Sequence, residues 1–118
     1  MLTVAALKEF GANTEEGLSR CMNNEAFYLR LVKMAAQELA NYEALGKALE
    51  SGDMKAGFEA AHGLKGMLAN LAIDPLTKPA SEITEILRAG QPGREAECAE
   101  LYRELMKQRE AFVAVCSD

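Results

Sequence analysis

An all-α fold is predicted by three features of the chain. Aromatic residues make up 6% of it and Trp is absent, while alanine, leucine, glutamate and lysine dominate, a composition that favours helices over strands. Apolar residues recur at three-to-four-residue spacing through most of the sequence. Glycine, proline, asparagine and aspartate gather at a few points between those runs, where helices would start and stop. With 118 residues, 49% of them hydrophobic, the chain suffices for a single domain, 1–118, around one core.

The elements follow in order. Residues through Phe10-Gly11 read as a short helix closed by a glycine that can take the left-handed conformation. Asn13-Thr14 is a capping pair, followed by Glu15 and Glu16 near the positive end of the helix dipole. Leu18, Cys21 and Met22 give this second short helix an apolar face, and it is expected to end near Asn23. Asn24 can then cap one long segment, with Phe27, Leu31, Met34, Ala35, Leu45 and Leu49 directed inward and Ser51-Gly52 as its stop. Asp53 caps the next helix, whose inward stripe is Met54, Gly57, Ala61, Leu64, Leu68 and Leu71.

Asp74-Pro75 marks a further start, since aspartate suits a cap and proline a first turn. Pro79 leaves two readings. Either the helix begins early and bends at Pro79, or residues 75–78 form an irregular turn before Ala80, Ile83, Ile86 and Leu87 begin the regular face. Gly90-Gln91-Pro92-Gly93 separates this helix from the last, which carries Ala96, Ala99, Leu101, Leu105, Phe112, Val113 and Val115 on one side and many charges on the other. Short connections favour antiparallel neighbours, so the expectation is an antiparallel up-down four-helix bundle with short N-terminal capping helices.

Composition also excludes function classes. The net charge of -5 argues against a general nucleic-acid binder, which would present a basic stripe. Cys21, Cys98 and Cys116 are odd in number and widely spaced, so neither a disulfide framework nor a zinc motif is expected, and reduced, cytoplasmic conditions fit best. Asp53, Asp74 and Asp118 are scattered and form no metal-ligand cluster. No secretory signal and no membrane-length apolar run is visible. A monomer is the default, because the charged last helix carries no extended apolar stripe.

The single histidine, His62, lies in Ala61-His62-Gly63-Leu64-Lys65-Gly66. Residues three and four apart on a helix are surface neighbours, so Lys65 and Gly66 should both border it. At ~100° per residue the imidazole lies on the order of 120° from the middle of the inward stripe and should face solvent beside the core. Lone histidines are usually incidental, and a lone exposed lysine is usually only solvated. A mid-helix glycine, however, costs roughly 1 kcal/mol relative to alanine, and Gly66 points away from the stripe, so open access is a better reason for it than packing. No role is assigned to Gly63, and Ala69 one turn further would extend a flat docking area.

The stretch Phe58-Glu59-Ala60-Ala61-His62-Gly63-Leu64-Lys65-Gly66-Met67-Leu68-Ala69-Asn70-Leu71 resembles the histidine-containing phosphotransfer domain of multistep phosphorelays. Gly17-Leu18-Ser19-Arg20, Phe27-Tyr28-Leu29-Arg30-Leu31-Val32 and Ala48-Leu49-Glu50-Ser51-Gly52-Asp53 upstream, with Leu76, Ala80 and Ile83 downstream, are similar to that family in order and spacing. The resemblance implies a four-helix bundle, His62 as the phosphorylated residue, Lys65 as the charge that stabilises the phosphoryl group, and Gly66 as the opening for a partner. Response-regulator receiver domains are the implied partners, with a hybrid sensor kinase as a further candidate. Magnesium is expected in the receiver's acidic pocket, and no cofactor on this chain. Met67, Ala72 and Thr84 depart from the residues common in the family, which bears on partner choice, on the helix exit and on the neighbouring helix.

Imidazole suits the role, being appreciably neutral and hence nucleophilic near neutral pH. The expected function is a phosphocarrier between receiver aspartates, without autonomous kinase activity, since neither a phosphate-binding glycine loop nor the protein-kinase motifs are present. The alternative is a non-phosphorylated helical adaptor that binds a receiver or another signalling protein. A hydrolase with His62 as base ranks lowest, because such chemistry needs an orienting carboxylate, a nucleophile and a pocket.

Overall fold

Side-chain caps begin four of the helices at the residues or junctions where capping chemistry requires them. Thr3, Asn13, Asn24 and Asp53 accept hydrogen bonds from the backbone N–H groups of Ala6, Glu16, Phe27 and Ala56 at 3.0–3.2 Å. Each such cap contributes about 1 kcal/mol. The computed structural model describes residues 1–117, so Asp118, named above among the scattered acidic residues, lies outside the described part. Seven helices are found among the described residues: α1 (Val4–Phe10), α2 (Thr14–Arg20), α3 (Glu25–Gln37), α4 (Ala40–Ser51), α5 (Met54–Asn70), α6 (Asp74–Ala89) and α7 (Glu95–Cys116).

The long segment expected between Asn24 and Ser51 is two helices. Glu38 leaves helical geometry with φ -66° and ψ 131°, and α4 restarts at Ala40. Neither glycine nor proline causes the break; tertiary and side-chain hydrogen bonds support it. The Glu38 carboxylate accepts from the N–H of Asn41 at 3.0 Å, and Arg109 of α7 donates to the carbonyls of Ala36 and Glu38 at 3.4 and 2.9 Å. Backbone groups released by the interruption therefore regain partners.

The inward face of α3 also differs from expectation. Tyr28 and Val32 are fully buried, whereas Phe27 and Met34 are 37% and 59% exposed and Leu31 is half-buried. The second helix stops at Arg20, before Asn23, and Met22 and Asn23 take left-handed conformations with φ 55° and 57°. Met22 is thus 87% exposed and not part of an apolar face. In α6 the early start holds, with Pro75 in the first turn and Pro79 buried within the helix, but Asp74 is the first helical residue and not the cap, a position that Ile73 takes without a side-chain hydrogen bond. On α7 the buried residues are Cys98, Leu105, Phe112 and Cys116, while Ala96 is exposed.

Packing partners fix the directions of the long helices. Gly57 of α5 faces Ala48 and Leu45 of α4, and Gly63 faces Asn41, so those helices run in opposite directions. Asn70 at the end of α5 is followed almost at once by Asp74 at the start of α6, while Gly57 early in α5 meets Leu87 late in α6, so α6 runs antiparallel to α5. Tyr102 donates to the carbonyl of Tyr42 while Arg109 reaches Glu38, so α7 runs antiparallel to the α3–α4 pair. The core between them holds Tyr42, Leu45, Leu64, Leu68, Leu76, Ile83, Leu105 and Phe112, all fully buried. The N-terminal helices cover the end where α5 passes to α6: Phe10 stacks on Phe112 at 6.0 Å, and the N–H of Asn13 donates to the carbonyl of Ala72 at 2.9 Å.

Gly17 anchors that cover by close approach. A methyl group there would lie 2.5 Å from a ring carbon of Tyr28, a residue that is fully buried and donates its hydroxyl to the carbonyl of Leu71 at 3.0 Å. Burial, with Cys21 and then Asp74 adding to it, pushes the Tyr28 hydroxyl up to about 12, so it stays a neutral donor. The ring cannot yield without losing its bond. Gly17→Ala is expected to cost about 1–3 kcal/mol, read as a lower urea midpoint with an unchanged slope.

Candidate functional site

Helix α5 presents two different faces. Gly57, Ala60, Ala61, Leu64 and Leu68 are buried against the core, and His62, Gly63 and Gly66 are exposed on the opposite side. The separation follows from helical geometry, since the buried residues share the inward arc and positions 62 and 66 lie one turn apart outside it. Gly57 lets the helix seat closely: a methyl group there would lie 3.1 Å from Leu87 and 3.5 Å from Ala48.

Neither ring nitrogen of His62 has a hydrogen-bond partner among the described residues, so both are open to solvent or to a second molecule. The imidazole stacks on the ring of Phe58, one turn earlier. The two rings are stacked with centroids 5.5 Å apart and planes 14° from parallel. Across the helix interface, the guanidinium carbon of Arg88 on α6 lies over the same phenyl ring, 5.1 Å from its centroid. Arg88 is held in turn by Glu85 at 3.2 Å.

Lys65 is half-buried and forms no ion pair with any described residue. Most arginines nearby are committed elsewhere, Arg20 to Glu16 at 2.8 Å and Arg88 to Glu85 at 3.2 Å. Lys65 is therefore a cation whose charge is available to an arriving anion. Gly66 has nothing within 4 Å of where a Cβ would stand. Close packing does not explain this glycine; open space surrounds it. At Gly63 a methyl group would meet only the Asn41 side chain, at an ordinary 3.6 Å.

Ala69 is half-buried, and its carbonyl accepts from Arg20 of α2 at 2.7 Å, so the far end of the face is bordered by α2 and is less open than at Gly66. Two further departures have structural settings. Ala72 sits at the exit from α5 with φ 59°, a left-handed conformation that costs a non-glycine residue about 1–2 kcal/mol, which accounts for glycine being favoured there. Thr84 is fully buried and donates its hydroxyl to the carbonyl of Ala80 at 2.7 Å, so it faces the helix and not the site.

The structure brings His62, Lys65 and Gly66 onto one open face, with Ala69 at its margin. Sequence reasoning missed Phe58 and Arg88. Phe58 is four residues before His62, a spacing that signals contact on a helix; Arg88 comes from another helix and had no local signal. A hollow of about 70 Å³ lies among Ala48, Leu49, Met54, Leu87 and Cys98, away from His62. Among the described residues no metal-binding cluster is found, all three cysteines are free and buried, and no helix is long and apolar enough to cross a membrane. Burial pushes the Cys116 thiol up to about 11.

A family model, described as the Hpt domain, matches residues 28–112. No curated protein and no solved structure gives a significant match.

Proposed function

The chain belongs to the Hpt-domain family, whose members are phosphocarriers in two-component phosphorelays and interact with receiver domains, and on that premise we propose that His62 is the residue phosphorylated in this one. The observation that carries the reading is an exposed imidazole with both nitrogens open, bordered by an uncommitted lysine and an open glycine. An imidazole nitrogen attacks the phosphorus of a receiver's aspartyl phosphate in line with the bond to the carboxylate oxygen. The N–P bond forms as the O–P bond breaks, the aspartate departs as a carboxylate, and the proton on the other ring nitrogen passes to water. The reverse step delivers the phosphoryl group to a second receiver.

Lys65 offsets the charge of the transferring group, worth most where the docked partner excludes water. Gly66 leaves room for the partner's loops, and Ala69 borders the docking area. Magnesium belongs to the receiver's acidic pocket in this reading, and the chain needs no cofactor of its own. Helices α3 with α4, α5, α6 and α7 serve as the legs of an up-down four-helix bundle capped by α1 and α2, a single domain spanning 1–118. The protein acts as a cytoplasmic monomer and transfers without autonomous kinase activity, with receivers and a hybrid sensor kinase as its partners.

The test is incubation with phosphorylated receiver domains from the same organism, with the label checked for acid lability and base stability. Absence of label from every competent receiver, with receiver binding retained, would favour the adaptor. Lys65→Ala is expected to slow transfer by roughly 10²-fold, the scale for removing one stabilising group at developing charge, with thermal stability changed little. A rate equal to the parent's would remove Lys65 from the site.

A further inference from the structure

An exposed histidine is ordinarily free to sample several staggered rotamers, and histidines with an assigned task are ordinarily oriented by a hydrogen bond to one ring nitrogen. His62 has no such bond among the described residues. What it has is the near-parallel Phe58 ring at 5.5 Å, itself covered by the Arg88 guanidinium at 5.1 Å, which Glu85 fixes on α6. The Phe58 ring thus contacts both the imidazole on its own helix and the guanidinium from α6. We propose that Phe58 is a positioning residue for phosphoryl transfer, its ring holding the His62 imidazole in the orientation from which a nitrogen can attack in line.

The inference rests on the carrier reading above. Its physical content is the cost of disorder: in-line attack tolerates little misalignment, and a reacting atom displaced by 1 Å can lose about 10²-fold in rate. Stacking suits a nucleophile better than a hydrogen bond would, because it fixes the plane of the ring while leaving both nitrogens free. Offset stacking of aromatic rings is favourable on its own, and the i, i+4 spacing of Phe58 and His62 supplies it without any distortion of the helix. Phe58 is half-buried between α5 and α6, so its ring is more constrained than that of the histidine it supports.

Phe58→Leu and Phe58→Tyr separate this role from a structural one. Leucine keeps the apolar bulk and the helix but has no flat face, while tyrosine restores the ring. Single-turnover transfer from a phosphorylated receiver, affinity for the same unphosphorylated receiver, and the proton shifts of the His62 ring are measured for each, at a temperature where all are folded. Phe58→Leu is expected to transfer roughly tenfold more slowly, within the range that small misplacements produce, with receiver affinity unchanged and the His62 ring protons losing the upfield shift that the phenyl ring imposes. Phe58→Tyr is expected to recover both rate and shift. Transfer by Phe58→Leu at the parent's rate, a loss matched by weaker receiver binding, or a tyrosine variant as slow as the leucine one would overturn the proposal. A parent protein that accepts no phosphoryl group sinks the carrier reading instead, a result distinguishable from a labelled parent with an equally fast leucine variant.

Discussion

His62→Gln is expected to abolish phosphoryl uptake completely while leaving the protein folded and able to bind receivers. Glutamine is a good helix former and the position is exposed, so the backbone of α5 has no reason to change. The variant forfeits the stack on Phe58, which limits the stability loss to about 1 kcal/mol. The effect on labelling is total because the chain contains one histidine. No other imidazole can take over, and the three cysteines are buried, with the Cys116 thiol pushed up to about 11. Acid-labile, base-stable label on the variant at the parent's level would exclude His62 as the acceptor. Label on neither protein, with receiver binding intact, would identify an adaptor that keeps the fold without the chemistry.

What could be read from the sequence, and what could not, divides by the range of the interaction. Caps at Asn13, Asn24 and Asp53, the glycine stops at Gly11, Gly52 and Gly90, and the buried stripe of α5 from Gly57 onward all depend on residues within a turn of one another, and all are found; Met54, expected to open that stripe, is exposed in the first turn instead. The division between α3 and α4 draws on Arg109, more than 70 residues away in sequence, and its one local support is the carboxylate of Glu38, a residue type that does not by itself signal a helix start. Tyr28 shows the same limit from another side. A tyrosine hydroxyl argues for a surface place until a buried acceptor is supplied, here the carbonyl of Leu71. Phe27 was therefore the more attractive candidate for the interior, by one residue.

The site follows the same rule. The placement of His62, Lys65 and Gly66 on one outward arc is a property of α5 alone, and the spacing of three and four residues is enough to find it. Whether Lys65 is already neutralised, and whether Gly66 is covered by a neighbour, are properties of the packed protein. Arg88 belongs to the same class: its guanidinium reaches the ring beside the histidine only because α6 lies antiparallel to α5, bringing residue 88 opposite residue 58. Family resemblance pointed to the histidine; the supporting stack is visible only in three dimensions.

Gly66→Gln is expected to move stability and activity in opposite directions. Nothing within 4 Å would meet a new Cβ, so the side chain can project into solvent without strain. Replacing a mid-helix glycine by a good helix former then raises stability by roughly 0.5–1 kcal/mol, seen as a higher urea midpoint. A glycine kept where it weakens its own helix and touches nothing is explained by something absent from the free protein. If that something is the approach of a receiver to His62, the added side chain occupies the space one turn from the imidazole on the same face. Transfer from a phosphorylated receiver should fall by at least 10²-fold, on the scale at which a misplaced reacting pair loses its advantage. Small phosphoryl donors such as phosphoramidate, which need no loop access, should still label His62 in this variant. Equal losses with receiver and small donor would mean that the substitution had damaged the imidazole's setting, whereas no loss with either would leave Gly66 without a part in docking.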